Sequence, residues 1–153
     1  MRHGRRLAVD VGKARIGLAV SDDSGLLASP FATVARKQTL HESITDVLTA
    51  VQAFEVLEIY VGLPLKMNGE YSPSTTDAIE FGKALAASSS CDVRFIDERM
   101  TTKSAAQNLR NHGKNAKNSR EVVDQEAAAI ILESALNQEK LNGHTPGKPC
   151  SEF

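Results

Sequence analysis

The stretch RLAVDVGKARIG, residues 6–17, places a single carboxylate inside a run of apolar residues. Asp10 lies between Val9 and Val11, and this pattern predicts a buried β-strand that ends at Gly12. An ionised carboxylate in a buried strand costs free energy unless a cation or hydrogen bonds compensate for it. Folding alone therefore does not explain Asp10, which makes it a candidate functional residue.

Two further strand-like runs follow the first, RIGLAVSD at residues 15–22 and LLASPFATVA at residues 26–35. The turn sequences GKA and DDSG separate the three runs. Short turns between strand-like runs are typical of β-hairpins. The sequence therefore predicts three consecutive antiparallel strands.

Helices and strands alternate in the next part of the chain. Thr39 and Glu42 have the spacing of a capping box, and apolar residues at helical spacing predict a helix from there to about Phe54. The apolar run at residues 56–63 predicts a fourth strand. Ser72, an expected N-cap that is followed by proline, predicts the start of a second helix.

A fifth strand is predicted at residues 92–97, where the sequence reads DVRFID. Beyond it, Thr102 is expected to cap a short helix that runs through Leu109 and ends at Gly113. A last helix is expected to begin near Ser119 and to bury Val123, Ala127, Ile130, Ile131 and Ala135.

The predicted order of elements is β-β-β-α-β-α-β-α-α, which is typical of a mixed sheet with helices on its faces. The predicted fold class is α/β, with a five-stranded sheet whose first three strands are antiparallel. Residues 1–141 are predicted to form a single domain, because the chain length suits one domain. The polar segment 142–153, NGHTPGKPCSEF, is predicted to be a disordered tail.

The composition indicates a soluble protein of the cytoplasm. The chain has 153 residues, of which 41% are hydrophobic and 24% are charged. Its two cysteines do not suggest a disulfide framework or a thiolate metal site. No apolar run is long enough for a membrane helix, so we expect no membrane partner.

Positive charge is concentrated in one segment, although the formal net charge is only −1. No Asp or Glu occurs between Arg99 and Arg120. Such a segment is either a solvated surface or an electrostatic site for phosphates. Its six basic residues are Arg99, Lys103, Arg110, Lys114, Lys117 and Arg120.

Three acidic residues stand at the ends of predicted elements: Asp10 in the first strand, Glu98 after the fifth, and Asp124 in the first turn of the last helix. Three carboxylates without histidine or cysteine make a set of oxygen ligands that suits Mg²⁺ or Mn²⁺. Structural explanations also exist. Glu98 or its neighbour Asp97 could pair with Arg99, and Asp124 could interact only with the helix dipole.

Four blocks of the sequence resemble the signatures of one bacterial family. AVDVGKARIGLAVSD, VGLPLKMNG, DERMTT and REVVDQEAAAIIL resemble the YqgF (RuvX-like) family, whose members have a ribonuclease H-like fold and are described as pre-16S rRNA nucleases or Holliday junction resolvases. The resemblance covers about residues 5–138, with the blocks in the same order and spacing. The sequence differs at Ala14, where the family often has a second basic residue before the position of Arg15.

The resemblance implies a catalytic and metal-binding role for Asp10, Glu98 and Asp124, with Asp97 as the alternative to Glu98. If these acids hold two divalent ions, the reaction is hydrolysis of a nucleic-acid phosphodiester by a metal-activated water. The resemblance thus implies a hydrolase of the nuclease class.

The basic residues gain a role in the same way. Because the acid-free segment begins next to Glu98 and ends near Asp124, we expect it to bind backbone phosphates independently of base sequence. Lys66 and Gly69 match the family's loop after the fourth strand. The residues expected to contact nucleic acid are Arg15, Lys66, Arg99, Arg110, Lys114, Lys117 and Arg120.

Two functions outside the nuclease class also fit parts of the sequence. DVGKARIG resembles the first phosphate loop of actin-like and sugar-kinase-like ATPases, although the chain shows no second phosphate loop. A non-catalytic nucleic-acid-binding factor in ribosome assembly or transcription could have the same fold.

Within the nuclease class, the expected activity is maturation of the 5′ end of pre-16S rRNA, with the assembling ribosome as a further partner. The alternative is a resolvase of DNA four-way junctions, which makes two symmetric cuts and therefore needs a homodimer, whereas a monomer is enough for trimming. The chain has no Trp, two Tyr and five Phe, so extensive base stacking is not expected.

Overall fold

The computed structural model describes residues 1–101 and 117–153. The elements in chain order are β1 (Arg5–Val11), β2 (Arg15–Ser21), β3 (Ala28–Ala35), α1 (Leu40–Ala50), β4 (Val56–Leu63), α2 (Pro73–Ser88), β5 (Asp92–Asp97), a 3-10 turn (Glu98–Met100), α3 (Lys117–Asn142), β6 (Lys148–Pro149) and a last 3-10 turn (Cys150–Glu152). The helix predicted over residues 102–109 lies outside the described residues. None of the helices described here has the length and apolar character needed to cross a membrane.

The strands form one mixed sheet in the order β3-β2-β1-β4-β5-β6. β2 pairs antiparallel with both β1 and β3, while β4 pairs parallel with β1 and β5. The predicted α/β class and the antiparallel arrangement of the first three strands are therefore confirmed. The number of strands differs from the prediction, because a short β6 extends the sheet from five strands to six.

Local capping signals place the starts of the first two helices. The Thr39 hydroxyl accepts a hydrogen bond from the Glu42 backbone N–H at 3.2 Å, and Ser72 caps α2 just before Pro73. Helix α1 ends at Ala50 rather than near Phe54, because residues 51–54 form a turn in which the Phe54 N–H donates to the Val51 carbonyl.

The two faces of β1 belong to two different cores. Leu7 and Val9 pack in the larger core, which is formed with α1 and α2. Ala8 points to the opposite face and packs in a second core against α3. Because side chains alternate along a strand, Asp10 lies on the α3 face with Ala8. The buried residues that α3 contributes are Ala128, Ile131, Leu132, Ala135 and Leu136.

The C-terminal segment is ordered, so the prediction of a disordered tail over residues 142–153 is wrong. β6 pairs antiparallel with β5, and the Arg94 guanidinium donates to the Pro146 and Gly147 carbonyls at 2.6 and 2.8 Å. The Phe153 ring packs edge-on against Phe95 at a centroid distance of 4.8 Å. The polar composition of the tail did not reveal these contacts, since their partners come from β5.

A buried ionic network connects the C-terminal part of α3 to the start of the sheet. Arg6 is fully buried and donates to Glu139 at 2.7 Å. Arg2 donates to Glu58 at 2.9 Å and also bonds Glu139. Since removing one partner leaves a buried charge unpaired, this network fixes α3 on the sheet at the end remote from Asp10.

Candidate active site

Asp124 is brought to Asp10 by a glycine on β2. Gly17 is the direct cross-strand partner of Asp10. A side chain at Gly17 would place its Cβ only 2.0 Å from the Asp124 carbonyl oxygen, so the backbone of α3 lies directly on the sheet at this point. A glycine within a strand often marks such a close backbone approach.

Glu98 reaches the same face from the other side, over a glycine on β4. Ala8 of β1 pairs with Tyr60 of β4, and both belong to the core under α3. Two residues further along β4, Gly62 therefore faces α3, as Asp10 does on β1. The carboxyl carbon of Glu98 lies 3.2 Å from the position that a Gly62 Cβ would occupy.

The charge of each acid affects the pKa of a neighbour: Asp124 affects Asp10, and Asp10 affects Glu98. Burial, with the nearby charge of Asp124, raises the pKa of Asp10 to about 6. Burial, with the charges of Asp10 and Asp97, raises the pKa of Glu98 to about 7. Shifted pKa values of neighbouring acids are typical of functional sites, because folding alone gains nothing from such repulsion.

In the arrangement shown, the acids are neighbours but do not surround a single point. Within residues 1–101 and 117–153, no three acidic, histidine or cysteine side chains stand close enough together to hold one ion. Arg15 takes part in this arrangement, because its Nε donates to Oδ2 of Asp124 at 2.6 Å. Arg15, expected to contact nucleic acid, thus neutralises one of the three acids.

Asp97 and Glu98 differ in their surroundings. The Arg99 guanidinium donates to both carboxylate oxygens of Asp97, with a shortest distance of 2.7 Å. This hydrogen bonding holds the pKa of Asp97 below its ordinary value. Arg99 therefore forms its ion pair with Asp97 and not with Glu98. The Glu98 carboxyl remains next to Asp10.

Asp124 lies further along its helix than the sequence indicated. Helix α3 begins at Lys117, so Asp124 is not in the first turn, and the prediction that it lies there is wrong. Because the helix dipole acts mainly within the first turn, it no longer explains this residue.

Of the remaining predicted nucleic-acid contacts, the structure describes Lys66, Arg99 and Arg120. Lys66 is exposed in the loop between β4 and α2, where Gly69 turns the chain with a φ of +87°. Arg99 connects this loop to the acids, because its Nη1 donates to the Met67 carbonyl at 3.3 Å. Arg120 is exposed on α3. Arg110, Lys114 and the Lys117 side chain lie outside the part of the chain that the structure describes.

The strand glycines are the site residues that our sequence reasoning missed. Gly17 and Gly62 flank Asp10 in the sheet and leave the space that Asp124 and Glu98 occupy. Their signal was present, since glycine is unfavourable within strands and marks bulges or close contacts.

Two solved structures share this fold. This chain superposes on T. thermophilus RuvC in complex with a Holliday junction substrate with a TM-score of 0.61 and 16% identity. The superposition covers 96% of this chain and 99% of the RuvC chain. A second Thermus thermophilus RuvC structure gives a TM-score of 0.57 at the same identity, over 95% of this chain and 99% of the other. RuvC has a ribonuclease H-like fold, and this chain has the same fold.

Sequence relatives are closer. A protein of Leifsonia xyli named "Putative pre-16S rRNA nuclease" is 46% identical over 97% of this chain and 96% of its own length. A protein of the same name from Streptomyces coelicolor is 43% identical over 97% of this chain and 89% of its own length. The family model of RuvX, described as Holliday junction resolvase, matches residues 4–138.

Fold and relatives together define a nuclease with a ribonuclease H-like fold, a hydrolase that acts on nucleic acid. Within that class, the chain belongs to the RuvX family. The resemblance seen in the four sequence blocks is confirmed, and the nuclease is favoured over both the ATPase and the non-catalytic factor.

Proposed function

We propose that this nuclease is a metal-dependent endonuclease that matures the 5′ end of pre-16S rRNA. The observation that carries the proposal is the position of Asp10, which has Asp124 on one side and Glu98 on the other and is electrostatically coupled to both. Their oxygen donors suit Mg²⁺ or Mn²⁺. Two such ions, when bound, would supply an activated water and stabilise the leaving 3′ oxygen.

The chain's own residues have separate roles in this proposal. Asp10, Glu98 and Asp124 would hold the metal, and Glu98 is preferred to Asp97 because Arg99 already neutralises Asp97. Arg15, which bonds Asp124 in this structure, would be available to a substrate phosphate if Asp124 held a metal ion. Lys66, Arg99 and Arg120, together with Arg110, Lys114 and Lys117, contact the backbone of the strand.

The names of the sequence relatives favour pre-16S rRNA as the substrate over a DNA junction. The Leifsonia and Streptomyces proteins are named for pre-16S rRNA, and their identity to this chain is 43–46%. The family description names the Holliday junction, which makes a four-way DNA junction the second candidate. Cleavage of ribosomal precursors fits a cytoplasmic location with the assembling ribosome as a partner.

The experiment that tests the proposal is cleavage of two labelled substrates, a fragment with the pre-16S rRNA 5′ end and a synthetic four-way DNA junction. Each is incubated with Mg²⁺, Mn²⁺ or EDTA. We expect metal-dependent cleavage of the RNA by the wild-type protein and none by the Asp10→Asn, Glu98→Gln or Asp124→Asn variants.

The matched control is Asp23→Asn, because Asp23 is a carboxylate with a side chain 67% exposed, and it should cleave like the wild type. Asp97→Asn should keep measurable activity if Glu98 is the ligand. Paired symmetric cuts in the junction would instead support the resolvase. Cleavage that persists in EDTA would rule out the metal mechanism.

A further inference from the structure

We propose that a cavity beside the acids binds one unstacked nucleotide of the substrate strand, next to the phosphodiester that is cut. The cavity has a volume of about 510 Å³, within the range of small-molecule sites. Three parts of the chain enclose it: the loop between β4 and α2, the turn after β5, and the C-terminal segment. The site's place next to the cleaved bond rests on the proposed function, while the binding of a nucleotide does not.

The cavity adjoins the acids along the chain. Asp97, Arg99 and Met100 line it, and Asp97 and Arg99 are the two chain neighbours of Glu98. Leu63, at the end of β4, pairs with Asp97 and lines the cavity one residue after Gly62, over which the Glu98 carboxyl lies. Because the residues that line the cavity are chain neighbours of Glu98 and Gly62, we place there the nucleotide next to the one whose phosphate lies at the acids.

The aromatic residues of the chain point to the kind of ligand. All five Phe and both Tyr lie in the part of the chain that the structure describes, and among them only Tyr71 is exposed, at 56%. This ring lines the cavity, as does Met100, which is 64% exposed. A flat, exposed ring beside a flexible thioether is a suitable surface for stacking one base.

Positive charge at the cavity suits the phosphate of the same nucleotide. Arg99 and the exposed Lys148 line it together with Asp97, whose carboxylate accepts a hydrogen bond from Arg99 at 2.7 Å. One acid therefore faces two cations, which leaves the wall with an excess of positive charge. An apolar peptide would gain nothing from these charges, whereas a nucleotide uses both the ring and the cations.

The first test is independent of cleavage. Adenosine 5′-monophosphate, at millimolar concentration, is titrated into ¹⁵N-labelled full-length protein, with inorganic phosphate as a parallel titration. We expect the nucleotide to shift the amide signals of Gly69, Tyr71, Met100 and Gly147, and to shift them about tenfold less at equal concentration in Tyr71→Leu. Leu27→Ala, which alters an exposed apolar side chain in the β2–β3 hairpin, should behave like the wild type.

The same experiment can overturn the proposal. Absence of shifts at these residues, shifts that persist in Tyr71→Leu, or identical shifts with phosphate alone would each show that no base binds here. None of these results would touch the proposed nuclease function.

A second test measures whether a base of the bound substrate strand lies in the cavity. 2-Aminopurine is placed in turn at each position around the cut in an RNA bound to Asp10→Asn protein. We expect quenched emission at one position next to the cut, and restored emission at that position in the Asp10→Asn, Tyr71→Leu double variant. An RNA that binds, as judged by anisotropy, but shows no quenched position would contradict the cavity's role and leave the nuclease intact. An RNA that does not bind would contradict both proposals.

Discussion

Asp10 holds a carboxylate at the centre of the sheet, between two other acids. Its pKa is raised from 3.8 to about 6, first by burial and then by the charge of Asp124. The folded protein therefore binds more protons than the unfolded chain between about pH 4 and pH 6. Stability must fall as the pH rises through this window, and Glu98, with a pKa of about 7, extends the fall. Metal-free protein thus loses stability over the pH range in which the carboxylates ionise and become able to bind metal.

Asp10→Asn tests this conflict between charge and stability. The variant removes a buried charge at constant size, so we expect the free energy of unfolding of metal-free protein to rise by about 2 kcal/mol at pH 8 and to change little at pH 4. Urea unfolding at both pH values measures the difference, with Asp23→Asn as the control. A variant that is less stable at pH 8 would show that the carboxylate serves folding.

Arg15→Gln tests whether Arg15 competes with metal for Asp124. Its guanidinium bonds Asp124 at 2.6 Å, and both side chains are partly exposed. Loss of this pair should raise the affinity for Mn²⁺ about fivefold, equivalent to roughly 1 kcal/mol. Calorimetric titration of Mn²⁺ at pH 8 gives the constant.

Arg36→Gln is the matched control, because Arg36 makes a similar pair with Asp77, at 2.6 and 2.7 Å, beside α2. Its Mn²⁺ affinity should equal that of the wild type. Weaker binding in Arg15→Gln would mean that Arg15 organises the metal ligands instead of opposing them.

Among the elements, α3 is the one that completes the site, and the sequence predicted its existence but only part of its packing. Caps such as Thr39 and Ser72 were predictable because their signals are local. The buried face of α3 was predicted only in part: Ile131 and Ala135 are buried as expected, whereas Val123, Ala127 and Ile130 are only partly buried. Which face of a helix is buried depends on how close it comes to the sheet, and here two strand glycines set that distance.

The C-terminal segment was also mispredicted because its structure depends on residues distant in sequence. Its composition predicted disorder, yet it contributes β6 to the sheet and residues to the cavity wall. The edge of β5 and the Phe95 ring stabilise it, and neither is visible in a window of the sequence around residue 150. Contacts with distant residues decide the structure of such segments.

Gly17→Ala tests the close contact of α3 with the sheet. The added Cβ would lie 2.0 Å from the Asp124 carbonyl oxygen, and a backbone atom cannot move without moving the helix. We expect a loss of about 3 kcal/mol in the free energy of unfolding, together with loss of cleavage, because Asp124 is displaced from Asp10.

Gly143→Ala is a useful comparison for this variant. No atom lies within 4 Å of a Cβ there, although φ is +75°. Only the backbone strain remains, so its stability should fall by about 1 kcal/mol and its activity should persist. Equal losses in both variants would mean that backbone conformation matters at Gly17, and the contact with α3 does not.

Over the whole molecule, acidic and basic residues are unevenly distributed, and the formal net charge does not show this. The formal net charge is −1, yet three acids lie together at the site and an acid-free basic segment begins next to them in sequence. In the sequence, that segment starts one residue after Glu98 and ends four residues before Asp124. The structure of residues 102–116, which carry Arg110 and Lys114, is outside the described range. Their contribution to binding stays a prediction.

This division of charge makes nucleic-acid affinity depend on metal. Without metal at pH 8, the ionised acids repel a phosphate backbone, so Asp10→Asn should bind an uncleavable RNA about fivefold tighter than the wild type, equivalent to roughly 1 kcal/mol. With saturating Mg²⁺ the order should reverse, because the wild type then holds cations that attract phosphate and the variant does not. Linkage requires that RNA raise the Mg²⁺ affinity of the wild-type protein by the same factor by which Mg²⁺ raises its RNA affinity. Fluorescence anisotropy with and without Mg²⁺ measures both constants, and parallel changes in the two proteins would show that the acids do not bind metal next to the strand.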